Sequence, residues 1–220
     1  MSDSSEVSLQ FGALVMLKNL ISLALVAVPA SAFAETPIAG IDGAWESLSC
    51  EVRPQVGQDG AITEWWLTRA LSFDDGVITA DFTTYAGPGC TNPLNVLSFQ
   101  GDVTVIGDSN LAQGAKEADL VIDSYVRITA LAQGFADFLN QSGEGDCGAG
   151  AWTVGESKDI LETGCSFLGV APNTPTIEYE ILYVDGDRLF FGARPVDGTF
   201  LTTPDDRPKA LLIPLARSEG

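Results

Sequence analysis

Apolar residues recur at every second position along one segment after another, and this period constrains the fold more than any other feature. From Thr63 to Phe73, Trp65, Leu67, Leu71 and Phe73 share one face, as on a half-buried strand. Asp74-Asp75-Gly76 then reads as a hairpin turn into a strand carrying Ile78, Ala80 and Phe82, which ends at Gly87-Pro88-Gly89. Val96–Val105 carries Leu97 and Phe99, then Val103 and Val105, with a bend or bulge expected at Gly101-Asp102. Ala118–Ile128 alternates through Leu120, Ile122, Val126 and Ile128. Thr176–Val184 places Ile177, Tyr179, Ile181 and Tyr183 on one face, with Glu178 and Glu180 on the other. A two-residue turn at Asp185-Gly186 leads into Arg188–Phe191.

One stretch has the helical period instead. Over Thr129–Asn140, Leu131, Phe135, Phe138 and Leu139 fall at i, i+4, i+7 and i+8, an amphipathic stripe that Asn140–Gly143 should stop. A glycine-rich loop follows around Cys147, and the proline-broken tail is expected to run over the surface. The fold class is therefore mainly β. We expect a curled antiparallel sheet, between half-barrel and barrel, with one helix (129–140) packed on its concave side. Such a shape leaves room for an apolar cavity between sheet and helix.

Residues 1–34 read as a leader. Lys18 precedes an apolar stretch from Leu20 to Val28, and Ala32 and Ala34 fit a signal-peptidase site, with a second candidate cut after Ala32. The stretch is well short of the roughly 20 residues that span a bilayer. Asp3 and Glu6 do not suit the start of a leader, so Met16 is the expected true start. Residues 35–220 are then one exported domain, periplasmic or secreted. Its four cysteines, an even number, read as two disulfides. Of three possible connectivities the favoured one is Cys50–Cys90 with Cys147–Cys165, since each closes a local segment. A net charge of −19 repels nucleic acid and anionic membranes.

Catalytic patterns are missing. The chain has no histidine, which removes Ser-His and Cys-His nucleophile systems and most zinc hydrolase sites. Asp74/Asp75, Asp185/Asp187 and Asp205/Asp206 lie in turns, where aspartate caps the local backbone. No enzyme activity, cofactor or metal site is expected. Glu51 and Arg53 lie two apart, share one face of a strand, and read as a structural ion pair beside Cys50.

The run Gly43–Pro54, GAWESLSCEVRP, resembles the opening signature of the adenomatosis-polyposis-coli-down-regulated (APCDD) domain family. Thr68-Arg69 with Phe73, Cys90-Thr91-Asn92-Pro93, Glu117-Ala118-Asp119, Cys147 with Trp152, and Cys165 follow in the family's order. Glu178 to Glu180, Arg188-Leu189-Phe190-Phe191-Gly192 and Arg207-Pro208 complete it. The resemblance implies a β-barrel-like domain with a hydrophobic pocket that holds lipid. It also implies an architecture similar to the half-barrel carriers that move lipoproteins across the bacterial periplasm. The animal members pair two such domains with a membrane anchor and antagonise a lipid-modified signal. This chain shows one domain, so it is expected to share the pocket and not the signalling role; a single-domain bacterial member is the expectation.

The expected function is binding of a hydrophobic small molecule or lipid, an acyl chain above all. Nucleic acid and a stable membrane anchor are not expected, and no protein partner is named by the sequence. Trp65, Phe73, Phe82, Phe99, Leu131, Phe135, Phe138 and Tyr179 are the residues expected around the pocket. The rival reading is a protein–protein interaction module that acts through its outer surface.

Overall fold

In the computed structural model, the described residues are 38–56, 59–141, 143, 146–147, 150 and 152–219. The leader and the choice of Met16 lie outside them.

The alternating segments become antiparallel strands. β1 (Gly43–Ser47) and β2 (Glu51–Val56) lie end to end along β3 (Ile62–Asp74), and β3 pairs onward with β4 (Val77–Tyr85). At the β3–β4 turn Asp75 and Gly76 have φ of +47° and +80°. Two successive left-handed residues match the twist of the flanking strands, which is why Asp-Gly suits this turn. β5 (Pro93–Asp108) and β6 (Lys116–Ala130) are the longest strands, and their register slips between Gln100 and Asp102. Gly101 sits at this expected bulge. A Cβ there would stand 2.2 Å from the Val121 carbonyl oxygen, so the strands approach too closely for any side chain.

β7 (Ser157–Asp159) pairs with the end of β6, and β8 (Thr176–Asp185) with its beginning. β9 (Arg188–Phe191) follows β8 through Gly186 and Asp187, one residue later than the turn read from the sequence. β10 (Leu215–Ser218) pairs with both β9 and β1. Because β1 also pairs with β3, the hydrogen-bonded pairings return to their start and form a ring. The tail therefore does not simply run over the surface. Its four-residue strand, too short to show a period, supplies the link that completes the ring.

Inside lie Trp45, Leu71, Phe73, Ile78, Phe99, Ile128 and Leu189, all buried. The bonds Cys50–Cys90 and Cys147–Cys165 are both present and close segments of 40 and 18 residues. On the chain-entropy account each is worth about 3–4 kcal/mol. Trp152 is buried beside the second and donates its indole N–H to the Cys147 carbonyl at 3.1 Å. Among the described residues no helix is long and apolar enough to cross a membrane.

Two further sequence expectations need correcting. The helix, α1, spans Gln133–Asn140 rather than 129–140. Thr129 and Ala130 stay in β6, where they pair with Val96 and Asn95 of β5. Ladder hydrogen bonds on a strand already buried at Val126, Ile128 and Ala130 prevail over the helical spacing. The second correction concerns β8. Its period is as expected, but its faces are exchanged. Glu178 and Glu180 stand opposite Leu120 and Ala118, both interior residues of β6, while Tyr179 and Ile181 stand opposite Asp119 and Glu117 on the outside. Ile181 is nonetheless buried, in a hollow shared with Arg207, Pro208 and Lys209 of the tail.

Candidate ligand-binding cleft

β2 continues past the closed part of the ring, paired with β3 from Glu51↔Leu67 to Val56↔Ile62. Beside this extension lies a cleft of about 340 Å³. One wall is the sheet, with Val52, Pro54, Trp65, Leu67, Phe82 and Leu97. Opposite it stand Phe135 of α1 and Phe167 and Leu168 of a short 3-10 turn (Ser166–Leu168) that follows Cys165. The segment 194–200 forms a third side, tied to the sheet by a hydrogen bond from Val56 N–H to the Val196 carbonyl at 2.7 Å. Phe200 lies against Gly169, whose backbone leaves no room for a side chain under that ring. Trp65, Val196 and Phe200 are 40%, 52% and 44% exposed, so the cleft opens to solvent through large apolar side chains. A contiguous apolar opening of this kind marks a binding site more often than a bare surface.

One end of the cleft is charged. Arg53, Glu178 and Arg194 line it. Arg194 Nη2 lies 2.6 Å from Glu178 Oε2 and 2.8 Å from Glu180 Oε1, while Glu180 Oε2 accepts the Gly192 N–H at 3.2 Å. Beside them Arg69 Nε donates to Glu51 Oε1 at 2.9 Å, and both side chains are 2% exposed. The sequence reading of a Glu51–Arg53 pair is thus corrected. Glu51 pairs with Arg69 across the β2–β3 ladder, where Ser47 Oγ also donates to it at 2.6 Å. Two-residue spacing places Arg53 on the same face as Glu51, but the cross-strand arginine takes the carboxylate.

Burial shifts these charges. It pushes the Glu180 carboxyl up to about 7, an effect that Arg194 opposes and Glu178 reinforces. Burial also works against Arg194, yet Glu178 and Glu180 outweigh it and hold that guanidinium above its ordinary value. Arg53 is pulled down to about 10, by burial first and then by Arg194 and Arg69. It remains cationic at neutral pH.

The Glu180 shift predicts a pH dependence of stability. Below its ordinary value of 4.5 the group is protonated in both folded and unfolded chains. As pH rises toward 7 the unfolded chain releases the proton first, so stability falls, by up to about 3 kcal/mol for a buried shift of this size. Above 7 the loss levels off. Glu180→Gln, neutral and similar in shape, should remove this slope. Denaturant midpoints from pH 4.5 to 8 measure it, and identical slopes for wild type and variant would contradict the assignment.

Of the residues singled out in the sequence, Trp65, Phe82 and Phe135 line the cleft. Phe73 and Phe99 are buried in the core, Phe99 edge-on to Phe82 at 5.4 Å. Leu131 is half-buried in the link between β6 and α1 and does not line the cleft. Phe138 is 49% exposed and packs edge-on against Phe167 at 5.5 Å. Tyr179 lies in the separate hollow outside β8, with the Arg207 guanidinium 5.4 Å from its ring. That hollow is larger, about 560 Å³, and mixes Ile106, Leu111 and Ile181 with the charged Glu117, Asp119, Arg207 and Lys209. Sequence reasoning missed Phe167, Leu168, Val196 and Phe200, which sit in irregular segments with no period to read. A hint was available for Phe167, which lies two residues beyond a disulfide cysteine.

A family model described as Adenomatosis polyposis coli down-regulated 1 matches residues 25–167. The matched span contains both disulfides, Glu51, Arg53, Arg69 and α1. Glu178, Glu180 and Arg194 lie beyond it.

Proposed function

The chain belongs to the adenomatosis-polyposis-coli-down-regulated family, and from that premise and its cleft we propose that it binds a hydrophobic ligand, an acyl chain, rather than catalysing a reaction. The observation that carries this reading is the cleft itself. Its walls are largely aromatic and aliphatic, with Arg53, Glu178 and Arg194 among its few polar groups, and its volume lies at the lower edge of the range of small-molecule sites, about 300–1,000 Å³. A single acyl chain suits this size better than a two-chain lipid. Export belongs to the same proposal: the leader motif and two disulfides fit an oxidising compartment outside the cytoplasm.

The test is calorimetric titration with a series of saturated fatty acids. Each methylene transferred from water into the cleft contributes about 0.8 kcal/mol, so affinity should rise about fourfold per carbon until the cleft is full. Leu97→Trp places bulk in the cleft from the sheet wall and should weaken binding at least about tenfold, because a filled cleft cannot be reoccupied without repacking. Affinity that ignores both chain length and Leu97→Trp would overturn the proposal and favour action through the outer surface.

A further inference from the structure

Glu51, Glu178 and Glu180 at the charged end of the cleft each lie in an ion pair with an arginine, and among the described residues Arg53 does not. Glu51 holds Arg69, while Glu178 and Glu180 share Arg194. Arg69 also donates to the Ile213 carbonyl at 3.2 Å. Arg53 has no side-chain hydrogen bond or ion pair among the described residues, although its Nε is buried. A buried guanidinium N–H without an acceptor is costly, and proteins rarely keep one without a use for it. Arg53 lines the cleft, and in the β2–β3 register it stands opposite Trp65, whose indole forms part of the apolar wall. A vacant cationic donor and an apolar surface therefore adjoin.

We propose that Arg53 is the head-group anchor of the cleft and that the ligand is a long-chain carboxylic acid. Its carboxylate accepts from the Arg53 guanidinium while its chain lies along Trp65, Phe82 and Leu97. This rests on the acyl-binding reading above and adds the chemistry of the head group. A carboxylate suits a guanidinium because two oxygens can accept from its planar fork at once. An ester or alcohol offers a weaker, uncharged acceptor. A dianionic head group such as phosphate would bring a second negative charge close to Glu178 and Glu180, so the site favours a monoanion. A long-chain amine is disfavoured because the nearby carboxylates already have their cations.

The experiment compares hexadecanoic acid, its methyl ester and hexadecan-1-ol on the full disulfide-bonded chain. Binding to wild type and to Arg53→Met is followed at neutral pH by displacement of a fluorescent fatty acid methyl ester. The acid should bind wild type about 10- to 100-fold more tightly than the ester or alcohol, the span expected for hydrogen bonds to a charged group. In Arg53→Met the acid should lose most of its affinity and fall to the level of the ester, so that the preference vanishes. Arg53→Lys, which keeps charge but not the fork, should fall between. Thermal unfolding of Arg53→Met supplies a check on folding, and this variant should be no less stable than wild type because a buried unpartnered cation is gone. Equal binding of acid and ester by wild type would overturn the anchor while leaving acyl binding intact. Equal weakening of acid and ester in Arg53→Met would overturn it too. Binding of neither acid nor ester to wild type would remove both proposals together.

Discussion

Glu51→Ala should destabilise the fold by about 3–5 kcal/mol, the usual cost of stripping one partner from a buried ion pair. Arg69 would be left cationic in a site where both side chains are 2% exposed. The pair is also the centre of a wider network. Ser47 Oγ donates to Glu51 and accepts the Arg69 backbone N–H at 2.7 Å, and Arg69 reaches the Ile213 carbonyl in the tail. Loss of the carboxylate therefore loosens the corner between β1 and β2, the β3 strand and the segment before β10 together. The double variant Glu51→Ala/Arg69→Met should recover most of the loss, because it removes the orphaned charge and fills the space with an apolar side chain. Urea midpoints of the two variants read the difference. A cost near zero for Glu51→Ala alone would mean that Arg69 finds other solvation. The pair would then not be the support described here.

The period of the strands was legible in the sequence because it depends on local geometry; which face turns inward was not. For β8 the apolar choice was Ile177, Tyr179, Ile181 and Tyr183, yet the interior receives Glu178 and Glu180. What makes that possible is Arg194, fourteen residues beyond Glu180, on a segment with no period of its own. Long-range charge pairing leaves no local pattern. The disulfides were legible for the opposite reason, since both close short, sequential segments. The run Cys50-Glu51-Val52-Arg53-Pro54 stands between these cases. It served as a landmark of resemblance, but its physical content appears only when Cys50 meets Cys90, Glu51 meets Arg69, and Arg53 and Pro54 face the cleft. The cleft was half legible. Its sheet wall alternates and could be read in part; its opposite sides come from a 3-10 turn and an irregular segment, and could not.

Trp45→Ala should cost about 3–5 kcal/mol as well, but through the closure of the ring rather than through charge. Trp45 is fully buried on β1, the strand that pairs with β3 on one side and β10 on the other. Its indole N–H donates to the Ile41 carbonyl at 2.7 Å, which fixes the chain entering β1. The Arg217 guanidinium lies 4.1 Å from the ring and donates to the carbonyls of Gly40 and Asp42. One side chain thus joins the entry segment, β1 and the short last strand. Removing it leaves a cavity and also frees Arg217 from the surface that orients it. Trp45→Phe keeps an aromatic ring for Arg217 but lacks the indole donor, so its loss should be smaller, about 1–2 kcal/mol. Hydrogen exchange separates this mechanism from general weakening. In Trp45→Ala, amides of the β1–β10 and β9–β10 pairs should lose protection well before those of the β4–β5 pair, whose long ladder does not depend on the indole. Uniform loss of protection across all strands would show that Trp45 supports the core as a whole and not the seam where the first and last strands meet.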